Sequence, residues 1–247
     1  MSGASSDRLV VGLQPVREAI RRHGSALREV LIDEKASPKL EALARFATDQ
    51  AVPRVQRVRR AELDRLSQGV VHQGVVTHAP ALELLELATL AEDPALVALV
   101  LDSIQDPHNF GAVVRSAVAL GGAAVVWGAH ASAPLTPATF RASAGAIEHA
   151  RLCRVPSLSH AVAELAQSVQ VVGLDAQAPV RLADLDLKGP TALVLGGEGE
   201  GLGRAVRRSC TQLASLGGMA SVDSLNVSVA AGIALYEVLR QRVKSST

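Results

Sequence analysis

Three short segments carry side chains that could do chemistry together. The first is Asp106-Pro107-His108-Asn109-Phe110-Gly111, with Arg115 six residues beyond Asn109. The second is Gly196-Gly197-Glu198-Gly199-Glu200-Gly201-Leu202-Gly203, and the third is Asp223-Ser224-Leu225-Asn226-Val227-Ser228. Their carboxamides, hydroxyls, carboxylates and one guanidinium can orient a substrate and stabilise charge, but they supply no nucleophile paired with a base. The 7 histidines are scattered and make no metal-ligand spacing, and no Ser/His/Asp set can be assembled; His72 and His108 read as structural or surface residues. A glycine-rich run often cradles phosphate, yet no Lys-Ser/Thr follows this one, so it is not a P-loop. Glu198 and Glu200 would repel a di- or triphosphate, and Arg204 stands where a dinucleotide fingerprint needs its last glycine. The loop suits a ligand that approaches the backbone closely without being strongly anionic. Taken singly, it also suits a tight turn needing positive φ, and Ser224 and Asn226 suit a helix cap.

Elements that could hold these segments in place are legible in the hydrophobic pattern. Val97–Leu101, Ala123–Trp127, Val169–Leu174 and Ala192–Leu195 are continuous apolar runs of strand length. A parallel sheet buried on both faces requires such runs. Ligands in open α/β sheets bind beyond the carboxyl ends of the strands, where the first two segments fall. A helix expected over Ala112–Leu120 follows the first turn, so that Asn109 and Arg115 can face one mouth. A final helix over Val229–Arg242 is expected to bury a stripe of Val229, Ile233, Leu235, Leu239 and Val243. Upstream, residues 9–78 read as a small α/β unit: strands at Leu9–Val11, Val30–Ile32, Val52–Val58 and Gly74–Thr77, helices at Val16–Arg22, Pro38–Ala47 and Ala61–Leu66. The expected domains are 1–78, a linker over 79–95 with a short helix near Leu82–Leu87, and 96–247.

Together the three segments resemble the SpoU (TrmH-like) family of RNA 2′-O-ribose methyltransferases, in the SPOUT superfamily. The matching positions are Asp106-Pro107-x-Asn109-x-Gly111 with Arg115, Leu193-Val194-Leu195-Gly196-Gly197-Glu198-Gly199-Glu200-Gly201, and Ser224-Leu225-Asn226-Val227-Ser228 with Ala230. Order and spacing agree over residues 97–243. Val10-Val11-Gly12-Leu13-x-Pro15-Val16-x-Glu18-Ala19 and His72-Gln73-Gly74-Val75 resemble the substrate-binding domain of the bacterial 23S rRNA guanosine-2′-O-methyltransferase group. The resemblance implies a C-terminal parallel-sheet α/β methyltransferase domain with a deep trefoil knot holding S-adenosylmethionine, and a homodimer. It implies a catalytic set of Asn109, Arg115, Glu198, Ser224 and Asn226. Gly196, Gly197, Gly201, Leu216 and Leu225 would contact the donor. A guanidinium holds its proton too tightly to be a good base, so Arg115 is expected to grip RNA phosphate and stabilise charge on the 2′-oxygen. One departure stands out. Leu216-Gly217-Gly218 occupies positions where the family usually reads Ile-Pro-Met, and Ala220 replaces a glycine, so donor binding should survive but weaken. Rivals within the class are a tRNA methyltransferase and an antibiotic-resistance rRNA enzyme; outside it stand a noncatalytic RNA-binding relative and a small-molecule Rossmann enzyme.

Composition fits this reading once charge is taken locally. The net charge of +1 averages 13 basic against 9 acidic residues over 1–78, four acids and no base over 79–95, and 12 against 11 beyond. Of the 25 basic residues 21 are arginine, the residue that binds phosphate bidentately and stacks on bases, although a high-GC genome produces the same bias. Arg54, Arg57, Arg59 and Arg60 are the expected RNA-binding cluster. Four surplus charges predict a shallow salt dependence of RNA binding. Two cysteines build neither a disulfide framework nor a zinc site, no apolar run approaches about 18 residues, and the first residues lack signal-peptide character. The expectation is a cytoplasmic protein without metal or membrane partner.

Overall fold

A computed structural model describes residues 7–35, 37–130, 132, 135–197, 201–217 and 225–243. In chain order it contains β1 (Arg8–Val11), α1 (Leu13–His23), β2 (Glu29–Asp33), α2 (Pro38–Asp49), β3 (Val55–Val58), α3 (Arg60–Ser67) and β4 (Val75–Ala79). There follow α4 (Leu87–Ala91), β5 (Val97–Leu101), α5 (Pro107–Ala119), β6 (Ala124–Gly128), α6 (Pro137–Ala142), β7 (Arg151–Val155) and α7 (Leu158–Leu165). The last elements are β8 (Gln170–Leu174), β9 (Thr191–Leu195), α8 (Arg204–Ser209), β10 (Gln212–Ala214) and α9 (Val227–Val243). The chain divides into two units, Met1–Glu83 with Leu135–His149, and Leu84–Pro134 with Ala150–Thr247.

The first unit is built on a four-stranded sheet ordered β1-β4-β2-β3, in which only the β2–β3 pair is parallel. Side chains alternate across a strand, and both faces here are covered. Val10, Val30, Ile32 and Val75 meet Val16, Ile20, Leu40 and Leu43 of α1 and α2. Val11, Leu31 and Val76 meet Leu63 of α3. The stretch 135–149 joins this unit although it lies between β6 and β7 in sequence. Its Glu148, with no exposed side-chain surface, binds the Arg8 guanidinium and accepts from His23 Nε2 at 3.0 Å.

The second unit carries a six-stranded, wholly parallel sheet ordered β10-β8-β9-β5-β6-β7. The central strands β5 and β9 are buried along almost their full length. One face, with Ala98, Val100, Val126 and Val194, packs against Leu90, Val162, Leu165 and Val206 of α4, α7 and α8. On α5, Phe110 meets Trp127 of β6 edge-to-face at 5.3 Å, and α9 runs along α5. Residues 84–95, within the stretch expected as a linker, are built into this unit. Leu84 bridges Leu152, Leu85 N–H donates to Leu152 at 2.7 Å, and Leu90 is fully buried.

Two expectations are corrected. The helix after β5 begins at Pro107 rather than Ala112: Asp106 accepts from His108 N–H at 3.0 Å and caps it, and Pro107 takes the first position. Asn109 and Gly111 therefore lie inside the helix. In α9 the buried side chains are Val227, Ala231, Ala234, Leu235 and Val238, whereas Val229, Ile233 and Val243 are 49%, 44% and 69% exposed. The helix is apolar on two sides, and the side carrying small alanines is the one that fits closely into the unit. Among the described residues no helix is long and apolar enough to cross a membrane.

Candidate active site

The carboxyl ends of β5 and β9 lie side by side, tied where Asp102 N–H donates to the Leu195 carbonyl at 2.8 Å. The loop leaving β9 folds back over this junction. A Cβ on Gly196 would stand 2.1 Å from the carbonyl carbon of Gly201, and one on Gly197 would stand 3.0 Å from the Ser103 carbonyl oxygen. Only glycine lets the strands of the loop approach so closely. Gly201 N–H closes the loop on the Gly197 carbonyl at 3.2 Å. At the exit, Gly203 N–H donates to Oδ2 of the buried Asp102 at 2.7 Å, and Ser103 Oγ donates to its other oxygen at 3.2 Å. A carboxylate inside the fold thus holds the end of the glycine loop by a charge-assisted hydrogen bond, stronger than a neutral one.

The third segment meets the first. Asn226 stands immediately before α9; its Oδ1 accepts from Ser228 N–H at 2.9 Å and from Ser228 Oγ at 2.6 Å. Its Nδ2 donates to Asn109 Oδ1 at 3.0 Å. The helix start fixes one carboxamide, and that carboxamide orients the other. A cleft of about 580 Å³ opens here, lined by Ser103, Gln105, Asp106, Asn109, Gly197, Gly201 to Arg204 and Val227, among others. It presents carboxamide, hydroxyl and backbone groups, the Asp106 carboxylate and the Arg204 guanidinium, and it lies at the carboxyl edge of the sheet.

Of the residues expected to act, Asn109, Asn226, Gly196, Gly197 and Gly201 come together at this cleft. Glu198 and Ser224 lie outside the described residues. Arg115 is exposed on α5 and does not border the cleft. Six residues along a helix advance it about 9 Å and leave it roughly 120° round the axis from Asn109; the shared mouth required a helix starting later. Leu216 follows β10 at the same sheet edge, and Leu225 is 53% exposed; neither lines the cleft. Gly217 adopts φ +73°, a conformation closed to proline, whose ring holds φ near −65°. Arg54, Arg57, Arg59 and Arg60 are exposed on the first unit. Arg57 holds Glu41 at 2.6 Å, while Arg54 and Arg60 stand 3.6 Å from Glu29 and Asp33. Only the Arg57–Glu41 pair is exposed on both sides and so contributes at most about 1 kcal/mol; Glu29 and Asp33 are largely buried. Two site residues escaped the sequence reading. Asp102 was signalled by a carboxylate directly after an all-apolar strand. Arg204 was signalled by the very position that spoils a dinucleotide fingerprint.

The cleft and sheet define a parallel α/β protein with a self-closing glycine loop at the carboxyl edge of its sheet. Residues 96–236 match the model of the SpoU rRNA methylase family, and residues 9–85 match that of the RNA 2′-O ribose methyltransferase substrate-binding domain. The 23S rRNA (guanosine-2′-O-)-methyltransferase RlmB of Pseudomonas aeruginosa is 39% identical over 94% of this chain and 96% of its own. The protein of the same name from Pseudomonas putida is 38% identical over 94% and 96%. The crystal structure of the SpoU methyltransferase AviRb from Streptomyces viridochromogenes, in complex with AdoMet, superposes with a TM-score of 0.78 at 27% identity. That match covers 96% of this chain and 91% of the other. The chain belongs to the SpoU rRNA methylase family.

Proposed function

We propose that the chain is an S-adenosylmethionine-dependent RNA ribose 2′-O-methyltransferase acting on a guanosine of 23S rRNA. The observation that carries this reading is the Asn226–Asn109 hydrogen bond over a self-closing glycine loop, in a chain that spans nearly the whole length of relatives named for that reaction. The residues fit the donor. Beside Gly201 the space a Cβ would take is open to a ligand, whereas glycine at 196 and 197 lets the loop fold closely on Gly201 and Ser103; among the described lining residues Arg204 is the one basic side chain. These glycines would hold the donor, largely through backbone groups, with Leu216 and Leu225 meeting it from outside the cleft lining. When bound, S-adenosylmethionine supplies an electrophilic methyl group on a sulfonium.

The chain's own task is to place a ribose hydroxyl in line and ease the loss of its proton. Asn109 and Asn226, each fixed by the other, orient the ribose; Ser224 assists, and Glu198 organises the glycine loop. Arg115, which lies outside the cleft of its own chain, would hold RNA phosphate, and it could stabilise charge on the 2′-oxygen only where the bound RNA or a second subunit brings that oxygen to it. Residues 1–78 bind the substrate RNA through Arg54, Arg57, Arg59 and Arg60, and residues 96–247 transfer the methyl group. The protein works in the cytoplasm as a homodimer. The trefoil knot belongs to the same proposal: after β9 the chain passes to β10 at the far edge and returns to α9 beside α5. A noncatalytic RNA-binding relative is the second reading, favoured by the left-handed Gly217 where the family carries proline. Calorimetry with S-adenosylmethionine, and ribose-methylation mapping of rRNA from cells with and without the protein, separate the two. Donor binding and loss of one methylated guanosine are expected; a chain that binds RNA but no donor is the second reading.

A further inference from the structure

The arginines of the second unit are unequal. Arg151, Arg181, Arg207 and Arg240 each hold a carboxylate, and Arg242 donates to the carbonyls of Ala95, Leu96 and Gly189. Arg204 is exposed, forms no ion pair among the described residues, and borders the cleft that Asn109 lines. Its backbone is well placed, because the preceding Gly203 N–H is anchored on buried Asp102 at 2.7 Å. Asp106 borders the same cleft with one oxygen committed to His108 N–H, so its charge favours the Arg204 side for an anion.

We propose that Arg204 binds a phosphodiester oxygen of the substrate RNA beside the target ribose, positioning the RNA strand in the cleft. The inference rests on the RNA methyltransferase reading and adds a residue to it. A guanidinium with no carboxylate partner among the described residues offers a planar pair of donors matched to phosphate. A Cβ at 203 would stand 3.0 Å from Asp102 Oδ2, so glycine there lets the buried carboxylate hold the backbone just before Arg204. Arg204 is a positioning residue: it holds the strand and takes no part in moving the methyl group or the proton.

The test uses the full chain, a large-subunit rRNA transcript and S-adenosylmethionine. RNA affinity is measured against potassium chloride concentration for the wild type, Arg204→Gln, Arg204→Lys and Arg208→Gln. Arg208 is exposed on the same helix and does not border the cleft. Loss of one phosphate contact should weaken RNA binding roughly tenfold in Arg204→Gln and flatten the log–log salt slope by about 0.7–0.9. Lysine should restore the slope, Arg208→Gln should leave it near wild type, and donor affinity by calorimetry should not change. An unchanged slope in Arg204→Gln overturns the inference, as does an equal effect of Arg208→Gln. A fall in donor affinity also overturns it, since the guanidinium would then serve the donor's carboxylate. If the wild type methylates the transcript and the slope is unchanged, this inference alone fails. If the slope flattens but no methyl group is transferred, the phosphate contact stands and the catalytic reading fails.

Discussion

Gly217 shows how one dihedral angle decides what a departure from a family pattern means. A glycine in place of proline at a turn proposed to hold the donor suggests a looser version of the same turn, since proline lowers the entropy of the unfolded chain. At φ +73° the turn is instead a different one, entered in the left-handed region that glycine tolerates and proline cannot adopt. Gly217→Pro, which restores the family residue, should therefore harm the protein. We expect a loss of more than about 1 kcal/mol in thermal stability together with weaker S-adenosylmethionine binding by calorimetry. A variant that melts higher and binds the donor more tightly would show that the turn adopts the family's proline-compatible shape. Asp102 makes the complementary point: a single buried carboxylate, absent from the sequence reading, fixes Gly203 and with it the exit of the loop.

At the scale of elements, the stretch 135–149 is held in the first unit by ionic chemistry around Glu148. Burial pushes the Glu148 carboxyl up, but hydrogen bonds from His23 and Arg8, and the Arg8 charge, outweigh burial and hold it below the ordinary value. A carboxyl whose folded pKa is depressed contributes stability above its unfolded value near 4.5, and that contribution is lost as pH falls through the lower folded pKa. Glu148→Gln should cost about 3 kcal/mol at pH 7, because it leaves the largely buried Arg8 without its counter-charge. The gap between wild type and variant in melting temperature should narrow below about pH 4.5. A gap that stays constant from pH 7 to pH 3 would mean that shape, not charge, holds the stretch. The strands were unequally legible for physical reasons. β5, β6, β8 and β9 are interior strands of the parallel sheet and read as unbroken apolar runs. β7, with Arg151 and Arg154, and the three-residue β10 are its edges, where one side meets solvent and the pattern disappears. The bond between Asn226 and Asn109 was not legible: Asn226 read as a helix cap and Asn109 as part of the turn after β5, because 117 residues separate partners that the sheet brings together.

For the whole molecule, the exposed side of α9 is the feature that a single chain does not explain. Val229, Ile233, Tyr236 and Val243 are 44–69% exposed, and their spacing places them along one face of the helix. A protein with a net charge of only +1 has little electrostatic repulsion to keep such stripes apart. In the two-fold homodimer proposed above the same stripe would meet itself, so that each apolar side chain covers another. The helix also begins at the cleft: Val227 lines it and Asn226 holds Asn109, two residues before the stripe starts. Association would thus steady the start of α9 and, through it, the carboxamide pair. Ile233→Glu combined with Tyr236→Glu should halve the mass seen by light scattering, because burying two carboxylates opposite their symmetry mates is prohibitive. Methyl transfer should fall with it, while the melting temperature of the separated chain stays defined, since neither residue belongs to the buried side of the helix. A double variant that keeps the wild-type mass would move the dimer contact elsewhere, and one that becomes a fully active monomer would sever assembly from catalysis.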